Sequence, residues 1–363
     1  MAKRVGVDKW IFCITLSLVV IGLLMIFSAS AVMAGARYGS AYHFVIRQAI
    51  FAVLGLLTMW VLMHVDYRKY NTPKVVFTAV AVTVILLVAA FFGHDSHGAH
   101  RWLTLGPLSL QPSELAKPVL VLFLAWWLQH RMGLMEDLRN TLLPAAVISL
   151  MFIGLVVKEP DLGTAMVLAA ITALLLYLAG MNFKFLGYAA LASILPLYFL
   201  LFRVKFRRER ILAFLNPDAD PLGKGFHIIQ SLIAVGTGGL HGLGYMEGRQ
   251  KLFYLPEPHT DYIFANIAEE LGLIGTLCIL ALFIAFGYRG IRAAILSTDP
   301  FARLIAFGVT TGILIQAFFN ISVVIALLPT KGITLPFVSY GGTSLFITLA
   351  SIGVLLNITR ELE

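Results

Sequence analysis

The chain has 363 residues, 59% of them hydrophobic and only 13% charged, with a mean hydropathy of +0.88. Soluble domains carry about a quarter charged residues, so this composition excludes a soluble globular protein. The formal net charge is +8, and the two cysteines, Cys13 and Cys278, both fall in apolar runs. They offer no disulfide framework or metal spacing and are expected to be packing thiols.

The first apolar run follows Lys3 and Arg4 and ends in "SASAVMA", which imitates a signal peptide. It extends from Trp10 to Val32, longer than the roughly 7–15 residues of a signal core, and is expected to be an uncleaved first helix. Apolar runs of membrane length then recur, giving ten candidate spans at 10–33, 44–63, 75–92, 113–129, 142–157, 163–180, 185–202, 262–287, 302–326 and 343–358. No intervening stretch is long enough for a separate soluble domain. Residues 1–363 are therefore expected to form a single all-α polytopic membrane domain of about ten transmembrane helices. Within it, residues 203–261 make a large extracytoplasmic loop between the seventh and eighth helices. Placing the N-terminus inside puts Arg68, Lys69, Lys74, Arg131, Arg139 and Lys184 in inward loops. Both termini are thereby expected to be cytoplasmic.

The outward connections hold the distinctive polar residues. The first, at 93–118, contains His94, His97 and His100, which lack the closed ligand spacing of a zinc site. It ends in "QPSELAKP", where Glu114 and Lys117 lie three apart, on one helical face. They form either a structural ion pair or part of a functional site. "KEPDLG" at 158–163 follows, with Asp161. The long connection opens with "RVKFRRER", a basic run on the side where the positive-inside tendency disfavours it. This run is either an interfacial anchor or a mark of something anionic. "QSLIAVGTGGLHGLG" then has the apolar spacing of a helix lying along the membrane, followed by a glycine-rich turn.

"LPEPHTDYIFANIAEELG" at 255–272 places Asp261 at the mouth of a span. Thr260 and Asp261 are both good N-cap types, so a simple cap competes with a catalytic carboxylate. Glu269 and Glu270 lie about 12 Å deeper at a rise of about 1.5 Å per residue, pointing about 100° apart. One of them is expected to pair with a cation inside the bundle. In "LPTKGITLPFVSYGG" at 328–342, Pro329 and Pro336 interrupt helix in an apolar setting. It reads as a hairpin loop or as the wall of a site.

An outward cavity with a membrane-edge carboxylate and several cations suits an anionic, lipid-linked substrate. Glycosyl transfer from a lipid diphosphate needs a base for the acceptor hydroxyl and positive charge on the departing diphosphate. Asp261 is the candidate for the first. Arg101, Lys117, Lys331 and the run 203–210 are candidates for the second. A proton-coupled transporter would use similar parts.

Several long motifs in order resemble the SEDS family (shape, elongation, division, sporulation) of membrane peptidoglycan polymerases. They are "FSASAVMA" at 27–34, "RWLTLGPLSLQPSELAK" at 101–117, "EPDLGTA" at 159–165 and "NPDADPLGKGFHIIQSLIAVGTGGLHGLG" at 216–244. "RQKLFYLPEPHTDYIFANIAEELG" at 249–272 and "LPTKGITLPFVSYGGTS" at 328–344 complete the set. "RQKLFYLPEPHTD" and the Thr-Lys pair of the last motif are most similar to the division-type branch; an elongation-type member is the alternative.

The resemblance implies ten helices and polymerisation of lipid II, the undecaprenyl-diphosphate-linked disaccharide-pentapeptide, on the outer face of the cytoplasmic membrane. It matches the family's essential aspartate to Asp261 and its cavity residues to Glu114, Lys117 and Asp161. It suggests cavity-wall or substrate contact for Lys331 and for Ser339 of the "SYGG" turn. The reaction expected is an inverting displacement, with Lys117, nearby arginines and a divalent ion (Mg or Mn) as candidates to neutralise the leaving group, although the sequence carries no metal motif. The partners implied are a class B penicillin-binding protein transpeptidase and other membrane proteins of the division machinery, with no nucleic acid. Asn266 and Ala268 depart from the family pattern. The rival functions are a lipid II flippase and a scaffold. The outward clustering of polar motifs and the lack of a visible inverted repeat favour an outer-face enzyme.

Overall fold

The computed structural model describes residues 6–96, 99–105, 108–252, 254–330 and 332–361; His97 and Lys331 lie outside the described residues. Its helices are α1 (Lys9–Tyr38), α2 (His43–His64), α3 (Pro73–Ala90), α4 (Pro112–Gln129), α5 (Leu143–Lys158) and α6 (Leu162–Leu178). They continue with α7 (Phe183–Phe202), α8 (Lys205–Leu215), α9 (Phe226–Thr237), α10 (Ile263–Leu296), α11 (Pro300–Val324) and α12 (Gly342–Thr359). Three short antiparallel strands, β1 (His94–Ser96), β2 (Ala99–Leu105) and β3 (Leu108–Leu110), lie between α3 and α4. Among the described residues, eight helical segments are long and apolar enough to cross a membrane. With α4 and the 17-residue α6, they fall on the ten expected spans.

Local chemistry sets where these helices start. The Asp8 carboxylate accepts from Trp10 N at 2.9 Å and Ile11 N at 3.1 Å, capping α1. Proline occupies the first turn of α3, α4, α5 and α11, where its missing N–H costs nothing. α11 forms the centre, its apolar stretch 67% buried, with α10, α4 and α6 packed around it. α12 lies along α2, and small residues bring the two backbones together: a Cβ on Gly353 would stand 2.7 Å from the Met59 carbonyl oxygen. α7 buries no residue at all. Cys13 and Cys278 are exposed on the bundle surface, so the expectation of packing thiols fails: their apolar surroundings in sequence mark the lipid-facing side of each helix.

The glycine-rich turn after α9 does more than connect. α10 is broken at Gly272, whose φ of 64° and ψ of −162° are not helical. The carbonyls of Glu269 and Glu270, which the break frees, accept from Leu243 N and Gly244 N, both at 3.0 Å. On the other side, Leu273 N and Ile274 N donate to Gly239 O and Leu240 O, at 2.9 and 3.2 Å. The connecting loop thus replaces the missing helical bonds, which a buried backbone in an apolar setting requires. Glycine is essential to the fit, since a Cβ on Gly272 would fall 2.3 Å from Gly242 N.

The same loop brings Lys251 into the bundle. Its Nζ donates to Glu270 Oε1 at 2.6 Å and to Ser28 Oγ of α1 at 2.9 Å, and all three side chains are buried. The expected cation for one of the paired glutamates is therefore Lys251, and its partner is Glu270. Glu269 instead accepts from the main-chain N–H groups of Arg249 and Gln250, at 2.9 and 3.2 Å. Removing one member leaves an uncompensated buried charge, which costs about 3–5 kcal/mol, whereas an apolar pair of similar volume is often neutral. Lys251→Met is accordingly expected to lower the thermal midpoint in detergent sharply, and Lys251→Met with Glu270→Leu to recover most of the loss. A double variant no better than the single one would contradict this account of the joint.

Candidate active site

Asp261 lies between two segments that turn back into the bundle, and its backbone is tied at three successive carbonyls. His259 O accepts from Tyr340 N at 2.9 Å, Thr260 O from Ser339 Oγ at 2.7 Å, and Asp261 O from Asn320 Nδ2 at 2.8 Å. α10 begins two residues later, with Tyr262 at its N-cap position and no side-chain cap bond. The capping role that the sequence allowed for Asp261 is thus not the one it plays. Among the described residues its carboxylate has no hydrogen-bond or ion-pair partner.

The non-helical stretch 332–341 is held by amides from the surrounding helices. Asn320 Nδ2 also donates to Ile333 O at 2.7 Å, and Gln316 Nε2 to Thr334 O at 3.0 Å. From α2, the buried Gln48 donates to Ser339 O at 3.2 Å and accepts from Gly341 N at 3.1 Å. Leu335, Phe337 and Val338 are buried, so this segment does dip into the bundle. Gln48, Gln316 and Asn320 are site-building residues that the sequence reading missed. Their only signal was an isolated amide in an apolar span.

Asp261 faces a cavity of about 340 Å³ whose charged lining is completed by Arg101, Asp161, Arg207 and Arg210. Each guanidinium leans on main-chain carbonyls. Arg101 Nε donates to Glu159 O at 2.8 Å and its Nη2 to Pro160 O at 2.6 Å. Arg207 reaches Leu200 O at 3.2 Å, and Arg210 reaches Thr330 O at 3.4 Å. Among the described residues, none of the three forms an ion pair. Burial lowers the pKa of both Arg207 and Arg210, and repulsion from Arg101 adds to it. Three guanidiniums lining one cavity give it the polarity that phosphate recognition needs.

The two aspartates differ in their bonding. Asp161 caps α6, accepting from Thr164 N at 3.0 Å and Thr164 Oγ1 at 2.9 Å, with Gln111 Nε2 at 3.3 Å. Asp261 is pushed up to about 6, first by burial and then by the charge of Glu257, with Arg210 and Arg101 opposing. That value suits a general base near neutral pH.

The remaining sequence candidates divide. Arg101, Asp161 and Asp261 meet at this cavity. Glu114 and Lys117 line a separate, smaller one of about 40 Å³. There Lys117 Nζ donates to Glu114 Oε2 at 2.8 Å and Gln316 Oε1 at 2.5 Å. Gln316 links the two regions, since its amide also holds Thr334 O. Ser339 is buried and its hydroxyl is engaged by Thr260 O and Leu335 N. Among the described residues, no three His, Cys, Asp or Glu side chains come together as a metal site. Two aspartates among three guanidiniums do not fit a divalent ion held by the protein alone.

A family of cell cycle proteins, FtsW/RodA/SpoVE, matches residues 9–363. The probable peptidoglycan glycosyltransferase FtsW of Geobacter metallireducens is 41% identical over 98% of this chain and 95% of its own length. Stage V sporulation protein E of Bacillus subtilis is 41% identical over 99% of this chain and 98% of its own. Among solved structures, a chain described under structural coordination of polymerization and crosslinking by a peptidoglycan synthase complex has a TM-score of 0.81 at 30% identity, with 98% of each chain covered. The rod shape determining protein RodA of Thermus thermophilus has a TM-score of 0.72 at 25% identity, over 99% of this chain and 98% of that one.

The electrostatics give a direct test. Arg210 holds the Asp261 pKa down, so Arg210→Gln is expected to move it further up from about 6. Infrared titration against Asp261→Asn isolates that carboxyl, and an unchanged or lowered value would contradict the geometry. The space beside Asp261 gives another: a Cβ on Gly332 would lie 3.4 Å from Asp261 Oδ2. Gly332→Ala, which adds this contact and strains a backbone at φ 21°, is expected to weaken binding of inorganic diphosphate while helix content by circular dichroism stays unchanged.

Proposed function

The chain belongs to the FtsW/RodA/SpoVE family of cell cycle proteins, and from that premise we propose that it is a peptidoglycan glycosyltransferase. It polymerises lipid II into glycan strands at the outer face of the cytoplasmic membrane, with both termini cytoplasmic. The observation that carries this reading is the cavity in which Arg101, Arg207 and Arg210, without ion-pair partners among the described residues, line the same space as the carboxylate of Asp261.

In this mechanism Asp261 takes the proton from the acceptor GlcNAc 4-hydroxyl. The oxygen attacks the anomeric carbon of the lipid-linked donor, and the bond from that carbon to the diphosphate oxygen breaks with inversion. The electron pair leaves with the diphosphate, whose charge the arginines stabilise. Asp261 stands at the membrane edge because a lipid tail holds the acceptor sugar at that depth. Ser339 and Asn320 act through the backbone of 260–261 by fixing the direction of the carboxylate. Glu114 and Lys117 neutralise each other in the second cavity and bear on the site through Gln316.

The names of relatives such as the Geobacter FtsW and the Thr-Lys pair at 330–331 favour a role in septal wall synthesis. The synthase-complex neighbour supports a cross-linking partner of the class B penicillin-binding type. Other membrane proteins of the division assembly complete the proposed surroundings.

The test is polymerisation of lipid II by the purified protein with its cognate transpeptidase, native beside Asp261→Asn. A base must be ionised, so native activity is expected to rise as pH increases through about 6. Loss of the base is expected to lower the rate by about 10²–10⁴-fold. The raised pKa means that ionised Asp261 costs folding stability above about pH 6. Asp261→Asn should therefore keep or raise the thermal midpoint at pH 7. Equal polymer from both proteins would remove Asp261 as the base.

A further inference from the structure

Glu159 lies just beyond α5, fully buried, and among the described residues neither of its carboxyl oxygens has a hydrogen-bond partner. Its surroundings are otherwise well satisfied. The carbonyls of residues 159 and 160 grip Arg101, at 2.8 and 2.6 Å. Asp161, two residues on, is bonded by Thr164 and Gln111. The segment is thus a wall of the arginine cavity whose main chain orients one guanidinium, while the side chain at its head finds no donor. An ionised carboxylate buried without donors is strongly unfavourable.

The charged groups around it come from four directions. Arg101 extends from β2 and Asp161 from the head of α6. Lys158, at the end of α5, lies over the Phe91 ring with its Nζ 6.0 Å from the centroid. Arg207 of α8 reaches Val157 O at 3.4 Å. Burial and the charge of Asp161 push Glu159 up to about 8, against the pull of Arg101.

We infer that Glu159 works as a neutral carboxylic acid, a positioning residue that grips Arg101 through its main chain without cancelling the guanidinium's charge. An ionised side chain here would draw Arg101 into an ion pair and remove it from the anion site. A neutral one of the same size fills the space and leaves the positive charge facing the cavity. The identity of the anion as a lipid diphosphate rests on the function proposed above; the neutrality of Glu159 does not.

The test uses Glu159→Gln, which keeps shape and neutrality, and reads two quantities. The first is the thermal midpoint in detergent across pH. Between about 4.5 and 8 the acid is neutral when folded and ionised when unfolded, so native stability falls with rising pH over that window. Glu159→Gln is expected to raise the midpoint at about pH 7 and to gain little at about pH 4. A lower midpoint at pH 7 would show an ionised, paired carboxylate and overturn the inference. The second is polymerisation against pH. Native activity is expected to decline as pH rises through about 8, whereas Glu159→Gln stays within about twofold of native at pH 7 and lacks that decline. The same alkaline decline in both proteins, or loss of activity in Glu159→Gln at pH 7, would overturn it. Polymer from neither protein at any pH would sink the polymerase reading, and the midpoint comparison would still decide the state of Glu159.

Discussion

Backbone that leaves the helix inside an apolar bundle must find every hydrogen-bond partner within the protein, and the candidate site is built on that constraint. Two stretches do so here, the turn after α9 that fills the break in α10 and the non-helical segment 332–341. The first takes the carbonyls of Glu269 and Glu270 and anchors its own Lys251 on Glu270. The second is fixed by Gln48, Gln316 and Asn320. The second meets 259–261, the short segment that carries Asp261, through Ser339 and Tyr340. Its direction is therefore set by residues on α2, α11 and the 339–340 turn, not by the helix it precedes.

Charge is distributed with the same economy. Inside the bundle, Lys251 pairs with Glu270, and Lys117 pairs with Glu114 while also reaching Gln316. Around Asp261 the pattern reverses. Among the described residues, three guanidiniums bond neutral carbonyls and no carboxylate. The raised pKa of Asp261 follows from burial, which outweighs the attraction of Arg210 and Arg101.

Much of this was legible in the sequence, and the limits have a physical basis. The ten spans could be read because membrane length and apolarity are one-dimensional properties. The Glu114–Lys117 pair could be read because it is local on one helix. Asp261 stood out as an acid where an apolar span begins, and the family resemblance gave it a role. The Lys251–Glu270 pair was half visible: a cation was required, but its source lay nineteen positions away across a turn. The separation of Lys117 from the arginine cavity could not be read, since it depends on how α4 and α6 are placed around α11. Nor could the unbonded state of Glu159, because nothing in "EPDLGTA" distinguishes a buried carboxyl from a solvated one. The cysteines show the same limit, as apolar neighbours in sequence do not tell lipid from core.

A cryo-electron microscopy structure of the protein with lipid II and an inert acceptor analogue would show whether one cavity holds the diphosphate on Arg101, Arg207 and Arg210 while Asp261 meets the acceptor hydroxyl. The expected result is diphosphate density among those three guanidiniums and an acceptor oxygen within hydrogen-bond reach of Asp261. Diphosphate bound instead beside Lys117 and Glu114, with the arginine cavity empty, would contradict it.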